Sequence, residues 1–502
     1  MNILFIITDQ QRADHLSCAG NPDLKTPNLD RLAAEGTRFT NAYVANPICM
    51  PNRSTIFTGK YPSVHGTRFN GINLNPQIQT FSQVLLNNGY HTCSIGKIHL
   101  NFYGGPIKRK FKSPESMITF FYNDKDKRPP FPKPYYGLDE VYLTIGHGDG
   151  VSGHYLDWLE EKSPNCFRFL KQRGIILYDD VFFDTPFPEE FYQTSFVTDK
   201  TIAFLKEHSE GKHGSKPFFL HCSFPDPHHP VTPPGKYREL YNPNIIKLPT
   251  TMNDIKNLYD HEVLGTFIDV YRTNFMRVPT PEEFRKFLAY TYGTISMIDD
   301  GVGKILAALK SYGLEKNTMI IFTSDHGDFM GDHGIMLKGI AHYQGVIKVP
   351  FIWKVPGLTN PGTLTNSLAS SIDIPTTILN LLDIKSKHHP PGMQGYDLTP
   401  ILSNPENKVR DHCIIEEDEG FETIPAKLPQ YRARTMIKDD YRITIYHGHE
   451  RFGDLFDLKN DPNELNNLWN DPSSKEIRDK LLNKLLHEII NIDERTERHA
   501  RA

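Results

Sequence analysis

The chain has 502 residues and a formal net charge of −4, and its sequence pI is about 6.6. Hydrophobic residues make up 38% and charged residues 23%, which is the balance of a soluble globular enzyme. The near-neutral charge excludes the basic field of a nucleic-acid-binding protein, and no apolar run approaches the length that spans a membrane. We therefore expect neither a nucleic-acid nor a membrane partner, and the length predicts two domains.

The six cysteines do not form a zinc-binding or disulfide-scaffold pattern, because they lie far apart with no CxxC pair. The first residues, MNILFIITD, lack the basic segment of a secretory leader and predict a strand instead. The sequence as written therefore predicts a cytoplasmic protein, or a periplasmic or secreted one if a leader has been removed.

The first candidate site residues follow a predicted buried strand over residues 3–7, a continuous apolar run rich in β-branched side chains. Asp9 and Gln10 come directly after it. Ligands of α/β sheets bind beyond the carboxyl ends of strands, so Asp9 is a candidate metal ligand. The alternative is that Asp9 caps the next turn. Gln10 offers a neutral carbonyl oxygen beside it.

Cys49 begins a second segment, CMPNRSTIFTG. Pro51 has a fixed φ and lacks an N–H group, so it suits the first turn of a helix and places Cys49 at the helix N-terminus. That end of a helix attracts anions, and Arg53 adds a permanent cation with forked donors. The position suits a nucleophile for a sulfate or phosphate ester. The alternative is a buried structural cysteine.

A third segment, GKIHL, follows a predicted strand over residues 90–95. Lys97 and His99 alternate along a predicted extended segment and so point to the same side, where a cation and an imidazole suit an anionic substrate. The alternative is a solvated strand end. Asn70 precedes a glycine in a loop, which is typical of a turn residue, and is also a candidate substrate contact.

Two further buried strands are predicted, over residues 216–224 and 318–324, and each leads into histidines. The first is followed by His228 and His229. A histidine near its working pKa can protonate a leaving alkoxide or bind an oxyanion. The second ends in Asp325 and His326, which repeat the strand-end arrangement of Asp9 and predict a shared divalent ion.

Other polar residues are interpreted as structural. Asp299 and Asp300 lie inside a long helix predicted over residues 284–312, on adjacent faces. His147 and His154 lie in a glycine-rich turn, where solvated loop histidines are favoured over pocket-lining ones. A supporting role is predicted for Asp332 and His333, and a helix cap for Asp373.

Together these segments resemble, in the same order, the type I sulfatases, the formylglycine-dependent enzymes of the alkaline phosphatase superfamily. The sequence is also similar to phosphonate monoester hydrolases, which share Asp-Gln at the first strand end and Asp-His at the second. The resemblance covers nearly the whole chain except two insertions, at about residues 101–195 and 231–280. Its elements are the Asp9 strand end, Cys49-x-Pro51-x-Arg53, Gly96-Lys97-x-His99, and Asp325-His326 through Lys338.

The resemblance implies an α/β, alkaline-phosphatase-like fold with a large mixed, mostly parallel sheet sandwiched by helices and a small C-terminal antiparallel sheet. We expect a catalytic domain at residues 1–404, with insertions of little regular structure at about 101–195 and 231–280. An α+β subdomain is expected at 405–502, ending in an amphipathic helix over residues 475–492.

The implied activity is that of an arylsulfatase-like sulfuric ester hydrolase. In the family the nucleophilic cysteine is oxidised to formylglycine, which implies a formylglycine-generating maturation enzyme as a partner of Cys49. The oxygen-rich ligand set favours Ca²⁺ and leaves Mn²⁺ open. The alternatives are a phosphonate monoester or phosphodiester hydrolase and a non-catalytic metal-binding homologue with unmodified Cys49. The sequence leaves open whether the substrate is a small-molecule or a glycan sulfate ester, and whether the chain forms a homo-oligomer.

By resemblance, a hydroxyl of the hydrated formylglycine attacks sulfur, and the alcohol leaves with help from His228 and Lys338. The second hydroxyl then loses its proton to His99, which expels sulfate and restores the aldehyde. The metal ligands implied are Asp9, Gln10, Cys49, Asp325 and His326. The substrate-binding residues implied are Asn70, Lys97, His228 and Lys338. The catalytic residues implied are Cys49, Arg53, Lys97, His99, His228 and Lys338.

Overall fold

The computed structural model describes residues 1–104, 112–174, 180–268, 280–419 and 431–493. Within these residues the fold contains a nine-stranded mixed sheet, a two-stranded sheet and a four-stranded antiparallel sheet. The strands are β1 (Asn2–Thr8), β2 (Thr37–Phe39), β3 (Ala42–Tyr43), β4 (His91–Gly96), β5 (Glu140–Ile145), β6 (Ser152–Gly153), β7 (Phe218–Ser223), β8 (Thr318–Ser324), β9 (Phe351–Lys354), β10 (Thr363–Thr365), β11 (Ala369–Ser370), β12 (Cys413–Glu419), β13 (Tyr431–Lys438), β14 (Tyr441–Tyr446) and β15 (Gly453–Asp457).

The large sheet has the strand order β10-β2-β9-β8-β1-β7-β4-β5-β6. Five of its strand pairs are parallel and three are antiparallel, which confirms the predicted mixed, mostly parallel α/β architecture. The α-helices are α1 (Pro27–Ala34), α2 (Cys49–Thr58), α3 (Pro62–His65), α4 (Phe81–Asn87), α5 (Met117–Tyr122), α6 (His154–Lys162), α7 (Pro164–Arg173), α8 (Gln193–Ser209), α9 (Ile255–Tyr259), α10 (Pro281–Ser311), α11 (Gln344–Ile347), α12 (Asp373–Leu381), α13 (Thr399–Ser403) and α14 (Lys475–Ile492).

Strand β1 shows why the sheet is buried on both faces. Leu4 and Ile6 pack into a cluster that includes side chains of α8 and α10. Ile3, Phe5 and Ile7 point the other way, into a cluster that includes side chains of α2, α4 and α12. All five are at most 1% exposed. Burying each such side chain contributes roughly 1.5–3 kcal/mol to folding. The five side chains therefore stabilise the packing of helices on both faces of the sheet.

Helix α1 begins at Pro27, and its N-terminus is capped by a distant side chain. The side chain of Thr26 does not cap the helix. The carboxylate of Asp299, on α10, instead accepts the backbone N–H groups of Asn28 at 3.1 Å and Leu29 at 2.8 Å. Asp299 therefore stabilises a helix terminus, as the structural interpretation of this residue predicted.

Helix α10 begins three residues before the predicted start at Phe284. Thr280 and Glu283 form a reciprocal capping box, in which each side chain accepts the backbone N–H of the other residue. This motif satisfies two of the helix's first N–H groups and places the N-terminus at Pro281.

The expectation of little regular structure at residues 101–195 is wrong. The described part of this segment contains α5, β5, β6, α6 and α7. Strand β5 pairs in parallel with β4, so the segment extends the sheet instead of covering it as a loop. The high glycine, proline and tyrosine content of the segment favours loops, so β5 was not predicted from the sequence. The domain boundaries remain a prediction, and residues 105–111, 175–179, 269–279, 420–430 and 494–502 lie outside the described residues.

The C-terminal sheet confirms the predicted small antiparallel unit. Strands β12, β13, β14 and β15 pair in sequence order. Helix α14 packs Leu481 and Leu485 into the same cluster as Met436, Ile443 and Leu455 of this sheet. None of the six cysteines lies in a disulfide. In the described part of the chain, no helix combines the length and apolarity needed to cross a bilayer.

Candidate active site

Four neighbouring strands bring the predicted site residues to one edge of the large sheet. Strands β8, β1, β7 and β4 are adjacent and parallel, so their carboxyl ends lie together. Asp325 follows β8, Asp9 follows β1, and Lys97 follows β4. His228 lies in the loop after β7. The sheet therefore assembles residues from distant parts of the chain, as the strand-end motifs predicted.

Cys49 is the first residue of α2, as Pro51 in the first turn indicated. Its Sγ lies 3.1 Å from His326 Nε2, 3.2 Å from Lys338 Nζ and 3.7 Å from Asp9 Oδ1. Burial and Asp9 raise the pKa of the thiol, but Lys338 and Lys97 outweigh them and lower the pKa below its usual value. The position is buried, and its charged neighbours together favour a negative charge on the sulfur.

Two carboxylates, an imidazole and the sulfur of Cys49 form one cluster. The ligand atoms of Asp9, Cys49, Asp325 and His326 all lie within 4.8 Å of one another. His326 Nδ1 is 2.9 Å from the Gly327 carbonyl oxygen, which makes Nδ1 the donor and leaves Nε2 facing the cluster as a ligand. Hard oxygen donors with one imidazole fit a divalent cation.

Asp9 is held as a carboxylate. Burial raises its pKa, but Lys97 and His228 outweigh burial and hold the pKa of Asp9 well below its usual value. Lys97 Nζ forms a short ion pair with Asp9 Oδ2. This contact links Asp9, a predicted metal ligand, to Lys97, a predicted substrate-binding residue.

The backbone turns sharply at Gln10, whose φ is +69°. Its N–H donates to Asp325 Oδ1 at 3.1 Å, which ties two strand ends together. Its side-chain oxygen accepts from Lys338 Nζ at 2.9 Å, and its amide nitrogen donates to Asp328 Oδ2 at 2.5 Å. Asp328 was not predicted; burial raises the pKa of this carboxyl to about 6. The ligand role of Gln10 remains a proposal.

Arg53 connects the nucleophile helix to both sides of the site. Its Nε donates to Asp325 Oδ2 at 2.6 Å, and Nη1 donates to the Lys97 carbonyl oxygen at 2.9 Å and to Ser223 Oγ at 3.0 Å. Nη2 is buried without a hydrogen-bond partner among the described residues. The guanidinium thus retains a donor for another oxygen atom.

The predicted extended segment from Lys97 to His99 is wrong in detail. Strand β4 ends at Gly96, and His99 has a φ of +59°. The backbone N–H groups of the loop residues 99, 100 and 101 all donate to the buried carboxylate of Glu115. Glu115 was not predicted; burial raises its pKa to about 7. The loop, instead of strand geometry, orients His99.

His99 is a buried neutral imidazole. Burial lowers its pKa well below the usual value, and Lys97 lowers it further. Its ring stacks on Tyr103 with centroids 3.8 Å apart, and Nδ1 has no hydrogen-bond partner among the described residues. A neutral imidazole with an unpartnered nitrogen can accept a proton.

His147 lies in the site, so the interpretation of this residue as a solvated loop histidine is wrong. Its Nε2 lies 3.0 Å from Lys97 Nζ and 3.3 Å from Asp9 Oδ2. Its ring stacks on that of His228, with centroids 3.6 Å apart and planes 10° from parallel. His154 is not a solvated loop histidine either: it begins α6, and its Nδ1 accepts a backbone N–H at 3.0 Å.

His228 and Lys338 form a close pair, with Nε2 and Nζ 2.7 Å apart. Burial lowers the pKa of His228 well below its usual value, and His147 and Lys338 lower it further. His229 stacks on His228, and its Nδ1 lies 3.1 Å from Gln10 Nε2. Both predicted histidines therefore line the site.

Asn70 contacts the N-terminus of the nucleophile helix. Its side-chain oxygen accepts the backbone N–H of Met50 at 3.1 Å. This bond satisfies one of the free N–H groups in the first turn and places Asn70 beside Cys49. The substrate-binding role of Asn70 remains a proposal.

The C-terminal sheet supports the loop that carries Lys338. Glu417, on β12, accepts the backbone N–H of Ile340 at 3.2 Å and lies 2.9 Å from His342 Nε2. Asp332 and His333 also support loops, since Asp332 pairs with Arg12 at 2.7 Å and His333 Nδ1 lies 2.7 Å from a carboxylate of the 252–259 segment.

A separate cleft of about 1500 Å³ lies between the C-terminal sheet and the 247–251 loop. Its lining includes Arg12, Asp332, Lys348 and Arg410, but not Cys49 or the other predicted catalytic residues. The cluster around Cys49 is therefore distinct from this cleft.

Comparisons with known proteins identify the family of the chain. The sulfatase family model matches residues 1–384, and the model described as N-sulphoglucosamine sulphohydrolase, C-terminal, matches residues 331–491. An arylsulfatase from Clostridium perfringens is 30% identical and aligns over 97% of this chain and 94% of its own length. An N-acetylglucosamine-6-O-sulfatase from Bacteroides thetaiotaomicron is 25% identical over 93% of this chain and 82% of its own.

A solved structure gives the same fold. The phosphonate monoester hydrolase of Agrobacterium radiobacter superposes with a TM-score of 0.78 at 24% identity, over 98% of this chain and 96% of that chain. At this identity the likeness shows a shared fold and not a shared substrate.

Proposed function

The chain belongs to the sulfatase family of the alkaline phosphatase superfamily, and from that premise we propose that it hydrolyses a sulfate monoester through a nucleophile made from Cys49. The single observation that supports this most is the convergence of the ligand atoms of Asp9, Cys49, Asp325 and His326 within 4.8 Å. Lys97 and Lys338 approach the same cluster from two sides, so an anion bound there meets two ammonium groups.

A divalent cation fits the residues at this edge of the sheet. Asp9, Asp325 and His326 would hold it together with the side chain at position 49 and the oxygen of Gln10. When bound, it would neutralise negative charge on the ester oxygens. Two carboxylates favour Ca²⁺, and the imidazole and neutral amide leave Mn²⁺ open.

We assign Cys49 as the site of formylglycine formation, which would supply a hydrated aldehyde as the nucleophile. The Cys49 sulfur stands where the hydroxyl groups of the hydrated aldehyde would lie. This sulfur is 3.2 Å from Lys338 Nζ. Arg53 orients Asp325 and keeps its Nη2 unpartnered among the described residues, so it can stabilise an oxygen at this position.

His228 and Lys338 serve the leaving alcohol. Lys338 Nζ donates to His228 Nε2 at 2.7 Å, so the pair holds a proton at the site where an alkoxide is released. His147 stacks on His228 and fixes the orientation of its ring.

His99 serves the second half of the reaction. Its unpartnered Nδ1 and its lowered pKa make it a proton acceptor at neutral pH. Glu115 holds the surrounding loop, so it positions His99 without reaching the substrate.

The substrate class remains to be screened. The relatives named above include an arylsulfatase and an N-acetylglucosamine-6-O-sulfatase. We therefore propose aryl sulfates as the first substrates to test and 6-O-sulfated amino sugars as the second.

The experiment is co-expression with a formylglycine-generating enzyme, followed by an aryl-sulfate assay. Cys49→Ala should abolish turnover and leave the fold intact, whereas Cys18→Ala, a half-buried cysteine outside the site, should retain turnover. Full activity of Cys49→Ala would exclude the mechanism. An inactive wild-type protein that binds the cation with an unmodified thiol would favour a non-catalytic binding protein.

A second candidate function is phosphonate monoester or phosphodiester hydrolysis. Gln10 supplies a neutral oxygen where a second carboxylate would add a negative charge, and phosphonate monoester hydrolases share this Asp-Gln pair. The matched assay uses one aryl group as its sulfate and as its phosphonate ester. A kcat/KM higher for the phosphonate would favour this alternative.

A further inference from the structure

One polar group beside the nucleophile has no role in the proposed reaction, and this group is the hydroxyl of Tyr103. The residue is partly buried, and its Oη is buried without a hydrogen-bond partner among the described residues. A buried hydroxyl that lacks a partner is unfavourable, and a phenylalanine would fill the same space without that cost. An unpartnered hydroxyl in an active site therefore points to a ligand atom that binds it when the site is complete.

The surrounding contacts hold the Tyr103 ring in place. The backbone N–H of Met117, the first residue of α5, donates to the Tyr103 carbonyl oxygen at 2.9 Å. The preceding N–H, of Phe102, donates to Asn73 Oδ1 at 2.9 Å. The ring stacks on that of His99, with centroids 3.8 Å apart and planes 20° from parallel. The phenol is therefore fixed against the imidazole that accepts a proton in the proposed reaction.

Charged groups of the active site lie around the Tyr103 hydroxyl. Lys97 Nζ is 5.9 Å from the centre of the Tyr103 ring. Burial raises the pKa of the hydroxyl well above its usual value and Glu115 raises it further, so the phenol is neutral at pH 7 and keeps its proton to donate. Arg53 lowers this pKa and Cys49 raises it, so both lie within electrostatic range of the hydroxyl.

Two further buried polar atoms of the site lack partners among the described residues. They are Arg53 Nη2 and His99 Nδ1. Arg53 is 1% exposed and His99 is 6% exposed, so bulk water does not satisfy these atoms. A hydroxyl group has one proton to donate and two lone pairs that accept hydrogen bonds. One bound hydroxyl would therefore satisfy all three atoms, by accepting from Tyr103 Oη and Arg53 Nη2 and donating to His99 Nδ1.

The three residues are also neighbours of one another. Tyr103 and His99 are in ring contact. Burial and Lys97 lower the pKa of His99, and Arg53 lowers it further, so the guanidinium lies within electrostatic range of the imidazole as well as of the phenol. A small group bound to one of these three residues is therefore near the other two.

We propose that the Tyr103 hydroxyl and Arg53 Nη2 bind one oxygen atom of the hydrated aldehyde at position 49, the hydroxyl whose proton passes to His99. The inference rests on the proposed function, because this oxygen is present only after formylglycine formation. Tyr103 is then a further catalytic residue.

The two donors act at two stages. When water adds to the aldehyde, its oxygen bonds to the carbon and one of its protons goes to the carbonyl oxygen, and two donors on one of the resulting hydroxyl groups favour this hydrate. Later that hydroxyl gives its proton to His99 Nδ1, its oxygen forms the carbonyl again, and the bond between the carbon and the sulfate oxygen breaks. The donors stabilise the negative charge that develops on the oxygen in this step.

The test compares Tyr103→Phe with the wild type, both co-expressed with a formylglycine-generating enzyme. The variant keeps the ring against His99 and removes only Oη. We expect kcat for an aryl sulfate to fall by about 100-fold with KM nearly unchanged, because the lost donor acts on charge that develops during the reaction. The matched control is Tyr155→Phe. Tyr155 is also buried, but its hydroxyl donates to the Phe191 carbonyl oxygen at 2.7 Å, away from the site, so kcat should be unchanged.

Two further measurements separate this role from a structural one. In protein labelled with ¹³C at the cysteine β-carbon, NMR gives the ratio of hydrate to aldehyde at position 49, and Tyr103→Phe should lower it. In protein expressed without the maturation enzyme, the unfolding temperature should fall in Tyr155→Phe, which loses a hydrogen bond, but not in Tyr103→Phe.

Two results would overturn the inference, and they differ in what else they exclude. If Tyr103→Phe equals the wild type in both kcat and hydrate fraction, the inference alone is wrong. If the wild-type peptide retains its sulfur at position 49 after co-expression, the proposed function is wrong together with the inference.

Discussion

The guanidinium of Arg53 and the carboxylate of Asp325 form a buried ion pair, with Nε and Oδ2 2.6 Å apart. Both side chains are at most 1% exposed. The pair joins the helix that begins at Cys49 to the end of β8, so it fixes the nucleophile relative to the predicted metal ligands. Arg53 also bonds the Lys97 carbonyl oxygen, which extends the connection to β4.

Breaking this pair should cost much more stability than breaking a surface pair. Arg53→Met leaves Asp325 buried and uncompensated, and we expect a loss of roughly 3–5 kcal/mol in the free energy of unfolding. The measurement is urea denaturation of the chelator-treated protein. The matched control is Arg68→Met, because Arg68 is 38% exposed and pairs with Asp418 at 3.0 Å. It should lose about 0–1 kcal/mol. Similar losses in both variants would contradict the role assigned to Arg53.

His147 should be needed for activity although its ring lies in a loop. His147→Phe keeps an aromatic ring against His228 but removes the nitrogen that faces Lys97 and Asp9. We expect kcat/KM for an aryl sulfate to fall by about 10–100-fold, with little change in unfolding temperature.

The control for this variant is His154→Phe. His154 accepts a backbone N–H outside the site, so this change should lower stability and leave kcat/KM of the folded enzyme nearly unchanged. Unchanged kcat/KM in His147→Phe would show that the residue only fills space.

His221 should make the protein less stable in acid. It is 1% exposed on β7, and burial, together with Arg53, lowers its pKa to about 3. The unfolded chain binds a proton near pH 6.5 and the folded chain does not, so this contribution to stability is present above pH 6.5 and is lost as the pH falls toward 3. One such group gives a slope of about 1.4 kcal/mol per pH unit.

The measurement is the free energy of unfolding of wild type and His221→Gln between pH 6.5 and 4. Glutamine retains a polar partner for Ser94, which lies 2.8 Å from His221 Nδ1. The slope of the variant should be smaller by about one proton, or about 1.4 kcal/mol per pH unit. Parallel curves would show that His221 is protonated in the folded state.

The fold class and the strand-end positions of the predicted metal ligands were predictable because they depend on local signals. The apolar runs that end in Asp9 and Asp325 identify buried strands, and parallel strands place their ends at one edge. Cys49 was placed correctly because Pro51 identifies a helix start. Each of these patterns can be recognised from residues that are neighbours in the sequence.

The remaining site residues depend on contacts between distant segments. His147 enters the site only because β5 pairs with β4, and the loop sequence carries no sign of that pairing. Glu115 accepts three backbone N–H groups from the loop of His99, and no local pattern indicates these contacts. Asp299 caps a helix 270 residues away, a contact no local pattern contains. Single polar residues in loops give no periodic signal, so tertiary structure decides their roles.

The most direct test of the central claim is the mass of the peptide that contains Cys49, taken from enzyme co-expressed with a formylglycine-generating enzyme and active on an aryl sulfate. We predict that the peptide has lost its sulfur and carries an aldehyde. An unmodified thiol in a preparation that turns over the sulfate ester would contradict the claim that Cys49 becomes the nucleophile.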